Sequence, residues 1–258
     1  MATKVIVITG ASSGIGAALA KQLGAQGHHL VLAARREHEL KFVAEQIGSQ
    51  TIPVLCDVTR RRDVEHLRDA ALGTFGHVDV WINNAGRGIG KKVLELTDDD
   101  FDEMIDVNLR SALYGMQVII PHFQQRGEGH VINISSFLAR VPLVTYRSAY
   151  SAAKAALNVL TANLRMDLKA MHADIHVSLV MPGGVTTDFA KHALGGTPGA
   201  LPVGGSMKPQ SPEEAAAAIV SLIENLKPEI YTNPALHEIA VRYCQDVAAF
   251  EEGMRRRS

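Results

Sequence analysis

The residues with the clearest chemical potential are Tyr150 and Lys154, which stand four positions apart in the Ala-rich run Ser148–Leu157. The run has a high helix propensity, and residues four positions apart lie on one helix face, so the phenol and the ammonium group would point the same way. A nearby cation favours phenolate over phenol and lowers the pKa of a tyrosine, which can then act as a general acid near neutral pH. A solvated pair on a helix surface would leave the same pattern, so the rest of the chain must decide between the two interpretations.

A glycine-rich stretch near the N-terminus is the second candidate. Residues Thr9–Gly16 read Thr-Gly-Ala-Ser-Ser-Gly-Ile-Gly and end the apolar run Lys4–Thr9. Glycine permits a tight turn and close approach by a ligand, and the helix that follows offers free N–H groups to a phosphate. The stretch therefore predicts a dinucleotide site. It also matches the G-x-S-x-G pattern of serine hydrolases around Ser12, but a hydrolase elbow follows several strands and needs an acid and a histidine further along the chain.

Predicted strands and helices alternate along the chain, and these elements would position the residues named above. The predicted strands are Lys4–Thr9, His29–Ala34, Thr51–Cys56, Val78–Ile82, His130–Ile134, Ile175–Met181 and Glu229–Tyr231. The predicted helices are Ala17–Gln26, Arg36–Ile47, Arg61–Phe75, a long helix from the cap Thr97 toward Phe123, Ser148 to about His172, one opened by Ser211 and Pro212, and a terminal helix Ala235–Met254. This alternation favours an α/β fold, a doubly wound parallel sheet with helices on both faces, in a single domain of residues 1–258. The Gly- and Pro-rich segment 183–210 breaks the pattern and is predicted to be a substrate loop or lid.

Composition excludes several classes of function. The chain has 258 residues with a net charge of −1, which gives no case for a nucleic-acid partner. Cys56 and Cys244 are predicted to be reduced thiols, and His172 and His176 are too weak a pattern for a metal site, so no metal is expected. Neither a signal-peptide layout nor a stretch of about 20 apolar residues is present, so we expect a soluble, cytoplasmic protein without a membrane partner.

Taken together and in order, six motifs resemble those of the short-chain dehydrogenase/reductase family. They are Thr9–Gly16, Asn83-Asn-Ala-Gly86, Asn108 within Asp106–Leu109, Ser135-Ser136 at the end of the fifth strand, the pair Tyr150 and Lys154, and Pro182–Thr187. The resemblance covers residues 9 to 187 and implies a Rossmann-like fold and hydride transfer with a nicotinamide cofactor. It also implies a homotetramer or homodimer formed through the long helices near residues 97–123 and 148–172.

The resemblance assigns four residues to catalysis. Tyr150 would exchange a proton with the substrate oxygen, and Lys154 would hold the nicotinamide ribose and lower the Tyr150 pKa. Ser136 would donate a hydrogen bond to the substrate carbonyl, and Asn108 would position a water that links Lys154 to solvent. Ser135 is the alternative to Ser136, which is preferred because its distance from Tyr150 is closer to that usual in the family.

The end of the second strand bears on the choice of cofactor. Ala34 stands where an acidic residue would bind the ribose hydroxyls of NAD, and Arg35 and Arg36 follow it. Arginine suits a 2′-phosphate, so NADP(H) is favoured, with NAD possible and Arg35 as the expected contact; two solvated arginines are the alternative. The full set of expected cofactor contacts is Gly10, Ser12, Ser13, Gly14, Ile15, Gly16, Arg35, Arg36, Asp57, Val58, Asn84, Ala85, Gly86, Tyr150, Lys154, Pro182, Gly183, Val185 and Thr187.

The substrate is expected to be a hydrophobic carbonyl compound or alcohol, because the candidate pocket residues are mostly apolar. These candidates are Phe137, Leu138, Val141, Pro142, Val144, Tyr146, Phe189, Leu194 and Met207. Arg140 and Arg147 would suit an acidic group, although solvated surface arginines are the default expectation. The main alternative function is a non-catalytic nucleotide sensor or scaffold, and epimerisation or dehydration on the same scaffold is disfavoured.

Overall fold

The computed structural model describes residues 2–196 and 208–255, and a parallel sheet runs through this part of the chain. Its seven strands lie in the order β3-β2-β1-β4-β5-β6-β7. The strands are β1 Val5–Thr9, β2 His29–Ala34, β3 Thr51–Leu55, β4 Val80–Asn83, β5 Gly129–Ile134, β6 Ile175–Met181 and β7 Glu229–Tyr231. The predicted doubly wound parallel sheet is confirmed, and the strand bounds agree with the prediction to within two residues.

Helices cover both faces of the sheet. They are α1 Gly14–Ala25, α2 Glu37–Ile47, α3 Arg61–Phe75, α4 Asp98–Ile105, α5 Ser111–Arg126, α6 Ser148–Lys169, α7 Pro212–Glu224, α8 Ala235–Gln245 and α9 Val247–Arg255. Strand β1 explains why the central strands are apolar throughout: Ile6 and Ile8 pack in the core beneath α1 and α7, whereas Val5 and Val7 pack in the core beneath α3 and α5. A parallel strand buried on both faces has no polar side to alternate with.

The predicted long helix from Thr97 contains a π-helical turn, Asp106–Arg110, between α4 and α5. Its start is as predicted, because the Thr97 hydroxyl accepts a hydrogen bond from the Asp100 amide at 3.2 Å. Asn108 lies within the π turn. Such turns are rare and occur often at functional sites, and hydrophobic periodicity does not reveal them.

The predicted terminal helix Ala235–Met254 is wrong in one respect, since it is two helices separated at Asp246. This residue has an extended backbone, with φ −153° and ψ 94°. Its carboxylate accepts a hydrogen bond from the Ala249 amide at 2.9 Å, so Asp246 ends α8 and caps α9.

The segment predicted to be a loop is described as far as residue 196. Within this segment Leu194 forms a parallel β-bridge with Ile89, and the Gly90 amide donates to the Leu194 carbonyl at 2.7 Å. Residues 197–207, including Met207, lie outside the described residues. Within the described ranges, no helix is long and apolar enough to cross a membrane, and no group of three or more metal-ligating side chains forms.

Candidate active site

The glycine-rich turn after β1 depends on glycine at two kinds of position. Gly10 and Gly14 have φ of +67° and +57°, in the left-handed region that other residues rarely adopt. At Gly16 the limit is space, because a Cβ atom would lie 2.4 Å from the Gly10 carbonyl oxygen. The turn therefore brings the backbone of β1 directly against the first turn of α1.

The N-terminus of α1 faces the cavity without a side-chain cap. Ser13 is the N-cap residue, but its hydroxyl makes no capping hydrogen bond. Instead the Arg36 guanidinium donates to the hydroxyls of Ser12 and Ser13 at 3.0 and 2.5 Å. Arg36 is partly buried against the turn, whereas Arg35 is exposed. The sequence favoured Arg35 as the cofactor contact; in the structure Arg36 is the arginine held at the turn.

Hydrogen bonds from the end of β4 fix the shape of the same turn. The Asn84 side chain donates to the carbonyls of Thr9 and Gly10 at 2.8 and 3.2 Å. The Thr9 hydroxyl in turn accepts from the Ala85 amide at 3.1 Å. Two motifs far apart in sequence thus form one rigid edge at the carboxyl ends of β1 and β4.

Tyr150 and Ser136 meet at the far side of the cavity. Tyr150 lies on the first turn of α6 and is only 7% exposed, so the solvated-pair interpretation is wrong. Ser136 follows β5, where its hydroxyl accepts a hydrogen bond from the Leu138 amide at 3.1 Å, and its side chain lies near enough to Tyr150 to act on the phenol. Ser135 instead donates to the Asn158 side chain at 2.5 Å, which ties β5 to α6. Of the two serines, Ser136 is the one in contact with the phenol.

Electrostatics at Tyr150 differ from the prediction. Burial raises the pKa of Tyr150 above its ordinary value, against smaller opposite effects of the nearby Ser136 side chain and the charge of Arg147. The predicted lowering of this pKa is therefore wrong, because loss of solvation outweighs the nearby polar groups. Lys154 is 3% exposed, and burial lowers its pKa to about 7. Its ammonium group donates to the Ile134 carbonyl at 2.8 Å.

Asn108 lies behind the cavity wall. Its amide nitrogen donates to the carbonyls of Arg87 and Met104 at 2.9 and 3.1 Å, and its oxygen accepts from the Arg87 amide at 3.1 Å. Gly86 separates Asn108 from Lys154: a Cβ atom at Gly86 would lie 3.0 Å from the Asn108 side-chain oxygen and 3.6 Å from the Lys154 nitrogen. Both groups therefore face the same small space.

One cavity of about 700 Å³ joins the glycine-rich turn to Tyr150, Ser136 and Lys154. Every expected cofactor contact lines it, as do Ser136 and the candidate substrate residues Phe137, Leu138, Val144 and Phe189. Among the described residues, the other candidates Val141, Pro142, Tyr146 and Leu194 are not part of its wall. This volume falls within the usual range for small-molecule and cofactor sites.

Some lining residues were missed by sequence reasoning. They include Arg87, Leu143, Leu236 and Ile239. Leu236 and Ile239 lie three positions apart on α8, and this apolar spacing indicates one buried helix face. The local sequence does not indicate that this face lies at the cavity. For Arg147 the default of a solvated side chain is wrong, since it is only 3% exposed.

Comparison with known proteins shows consistent similarity. A family model described as short chain dehydrogenase matches residues 4–195. An uncharacterized oxidoreductase of Staphylococcus epidermidis is 36% identical over 188 residues, covering 73% of this chain and 80% of that protein. The uncharacterized oxidoreductase YxnA of Bacillus subtilis is 34% identical over 242 residues, covering 92% of this chain and 67% of that protein.

Solved structures extend the similarity over nearly the whole chain. A short-chain dehydrogenase/reductase from Burkholderia phymatum in complex with NAD superposes with a TM-score of 0.85 at 27% identity, covering 96% of this chain and 95% of that one. An alcohol dehydrogenase from Thermococcus sibiricus complexed with 5-hydroxy-NADP superposes with a TM-score of 0.76 at 30% identity, covering 89% of this chain and 96% of that one.

Proposed function

The chain belongs to the short-chain dehydrogenase family and is an NAD(P)-dependent oxidoreductase, and from this premise we propose that it interconverts a hydrophobic carbonyl compound and its alcohol with NADP(H). The observation that carries the proposal is the convergence of Tyr150, Ser136 and Lys154 on the cavity that begins at the glycine-rich turn. Binding of the cofactor and proton transfer to the substrate would then occur in one continuous space.

The residues at the turn fit a dinucleotide phosphate. The uncapped N-terminus of α1 offers backbone N–H groups and the positive end of the helix dipole. Gly14 and Gly16 line this end of the cavity without side chains, so a phosphate can come close to their backbone. A bound nicotinamide cofactor would supply the hydride donor or acceptor, while the chain binds and orients it.

The preference for NADP(H) rests on Arg36 and Arg35. Arg36 already stands against the hydroxyls of Ser12 and Ser13, so its guanidinium is fixed beside the phosphate end of the cavity. Both arginines line the cavity, and a guanidinium recognises a phosphate through charge and two parallel hydrogen bonds. We assign Arg36 the larger part, because its position is fixed by hydrogen bonds whereas Arg35 is exposed.

Proton transfer would depend on Tyr150. Its raised pKa keeps the phenol protonated at neutral pH, which suits a proton donor to the oxygen of a carbonyl substrate during reduction. Ser136, in contact with the same phenol, would donate a hydrogen bond to that oxygen as negative charge develops. Lys154 would hold the ribose and, with Asn108 across Gly86, would return a proton toward Tyr150.

The apolar end of the cavity supports a hydrophobic substrate. Phe137, Leu143, Phe189, Leu236 and Ile239 line the same cavity as the Tyr150 phenol, and the Phe189 ring contacts the Tyr150 ring. Apolar walls with a few polar groups at the reacting end are typical of sites that orient a hydrophobic ligand by one polar atom.

Association into a homodimer or homotetramer is a further part of this proposal. Val159 and Met166 on α6 are 62% and 63% exposed, and Phe101 on α4 is 44% exposed. Burying these side chains against another copy would remove apolar surface from water. Light scattering after size-exclusion chromatography measures the mass; a monomer of 27.8 kDa would contradict this part.

The test of the proposed function is NADPH consumption by the purified protein across a panel of apolar ketones and aldehydes. We expect turnover by the wild type and a loss of about 100- to 10,000-fold in Tyr150→Phe, the usual contribution of a general acid. Binding of NADPH, followed by its fluorescence, should survive this substitution. NADPH binding without turnover across the panel would favour the sensor or scaffold instead, and an equally active Tyr150→Phe would contradict the mechanism.

A further inference from the structure

Arg147 stands immediately before α6, three residues before Tyr150, and its charge is buried. The side chain lines the cavity although only 3% of the residue is exposed. One guanidinium nitrogen donates to the Ile89 carbonyl at 2.9 Å. Gly88 makes room for it, because a Cβ atom there would lie 2.6 Å from the same nitrogen. The guanidinium is therefore held in one place on the loop that follows β4.

Arg147 and Tyr150 share an aromatic neighbour. The guanidinium carbon of Arg147 lies 5.9 Å from the centre of the Phe189 ring, and that ring meets the Tyr150 ring edge-on with centres 5.5 Å apart. Phe189 thus lies beside both side chains, and Arg147 and Tyr150 are themselves only 3% and 7% exposed. Electrostatic interactions act over a longer range where water is excluded.

The charged groups that face the phenol come from few elements. Helix α6 contributes Lys154, and the residue before it contributes Arg147; the end of β5 contributes the uncharged Ser136. The loop after β4 contributes Arg87, which pairs with Glu103. The segment after β6 contributes Phe189; further along the same wall Lys191 pairs with Asp188, and His192 follows it. Described residues of the wall near the phenol are thus mainly cationic or neutral.

We propose that Arg147 is a positioning residue for proton transfer, whose fixed positive charge stabilises Tyr150 in its phenolate form. This inference rests on the proposed role of Tyr150 as the acid and base. In reduction the phenol gives its proton to the substrate oxygen and becomes phenolate; in oxidation the phenolate takes the alcohol proton. In both directions Arg147 stabilises the phenolate form of Tyr150, and it takes no part in hydride transfer.

The charge of Arg147 complements that of Lys154. Burial raises the pKa of Tyr150, and the charge of Arg147 acts against this effect. The pKa of Lys154 is lowered to about 7 by burial, so its positive charge is partly lost at and above neutral pH. An arginine stays charged across that range. The cation that persists near Tyr150 in alkaline solution is therefore Arg147.

The experiment is the pH dependence of alcohol oxidation in Arg147→Met, Arg147→Lys and the matched control Arg140→Met. Arg140 lies on the same loop but pairs with Glu229. Oxidation requires phenolate, so its rate rises as Tyr150 deprotonates, and removal of a cation moves this rise to higher pH. We expect the rise to move upward in Arg147→Met, with a fall of about tenfold in rate on its acidic side. Arg147→Lys and Arg140→Met should keep the wild-type profile.

A second measurement follows Tyr150 itself without turnover. The ultraviolet absorbance of tyrosinate, taken as the difference from Tyr150→Phe, should titrate at higher pH in Arg147→Met. If that variant does not fold, Arg147→Gln keeps an N–H donor for the Ile89 carbonyl and should show the same shift. Unchanged profiles in a folded neutral variant, or an equal shift in Arg140→Met, would overturn the role of Arg147. A fully active Tyr150→Phe would instead overturn the proposed function.

Discussion

The two ends of the cavity are built in different ways. At the cofactor end, backbone geometry sets the shape: Gly10 and Gly14 are left-handed, and Asn84 holds the turn by two hydrogen bonds. At the substrate end, side chains set the shape, and they come from segments as far apart as Phe137 and Ile239. A change at the cofactor end should therefore affect every substrate equally, whereas a change in the apolar wall at the substrate end should alter the choice among substrates and leave cofactor binding unchanged.

The largest expected effect is at Gly16. Gly16→Val would force a side chain against the Gly10 carbonyl, 2.4 Å from the Cβ position, and distort the whole turn. We expect a loss of NADPH affinity of more than about 100-fold, measured by fluorescence titration, because phosphate binding depends on that backbone geometry. Gly73→Ala is the control, since nothing lies within 4 Å of its Cβ position in helix α3. It should bind normally and gain about 0.5–1 kcal/mol in free energy of unfolding; normal binding by Gly16→Val would contradict the comparison.

Ser136→Ala should have the next largest effect. Loss of the hydroxyl beside Tyr150 removes a donor to the developing charge, and we expect kcat to fall about 100-fold. NADPH affinity should stay within about twofold, because Ser136 belongs to the reacting end. Ser135→Ala is the neighbouring control. It removes the hydrogen bond to Asn158, so it should lower the free energy of unfolding while leaving kcat nearly unchanged. If Ser135→Ala lost more kcat than Ser136→Ala, the assignment of the two serines would have to be reversed.

Arg36→Ala tests selectivity within the cofactor end. We expect NADPH to bind about tenfold more weakly while NADH binding changes little, since only NADPH carries the 2′-phosphate. Arg35→Ala should have a smaller effect on NADPH, because Arg35 is exposed and Arg36 is fixed at Ser12 and Ser13. Isothermal titration with both cofactors measures the ratio. An equal loss for NADH and NADPH would show that Arg36 only supports the turn.

The smallest expected effect is at the substrate end. Ile239→Ala removes apolar wall from the cavity, and we expect KM for a large apolar ketone to rise about three- to tenfold with NADPH affinity unchanged. Val241→Ala on the same helix is the control, as Val241 is 39% exposed and outside the wall. A change in NADPH affinity in Ile239→Ala would show that the two ends are coupled.

The cofactor end was predictable because its motifs are local. A strand, a turn and a helix N-terminus occupy Val5–Ala25, so residue type and spacing alone indicate the geometry. The expected contacts beyond this unit, such as Asp57, Asn84 and Thr187, were predicted from the family resemblance, and they line the cavity as well. Strand bounds followed equally well from apolar runs, since strands buried on both faces leave a continuous signal.

The substrate end was less predictable, because packing between distant segments decides it. Arg147 reads as a surface residue in sequence, and packing against Gly88 and Phe189, far from it along the chain, helps to bury it. Helix α8 reaches the cavity through tertiary packing against the segment after β6, where Leu236 contacts Gly183. The π turn at Asn108 likewise leaves no mark in hydrophobic periodicity.

The most direct test of the central claim follows the hydride itself. NADPH carrying deuterium at its transferable position would be incubated with the wild-type protein and an apolar ketone, and the product examined by mass spectrometry. We expect one deuterium on the carbinol carbon of the alcohol, formed in step with NADPH loss and almost absent with Tyr150→Phe. A protein that binds NADPH and yields unlabelled product, or no product with any carbonyl compound tested, would contradict the proposed oxidoreductase activity.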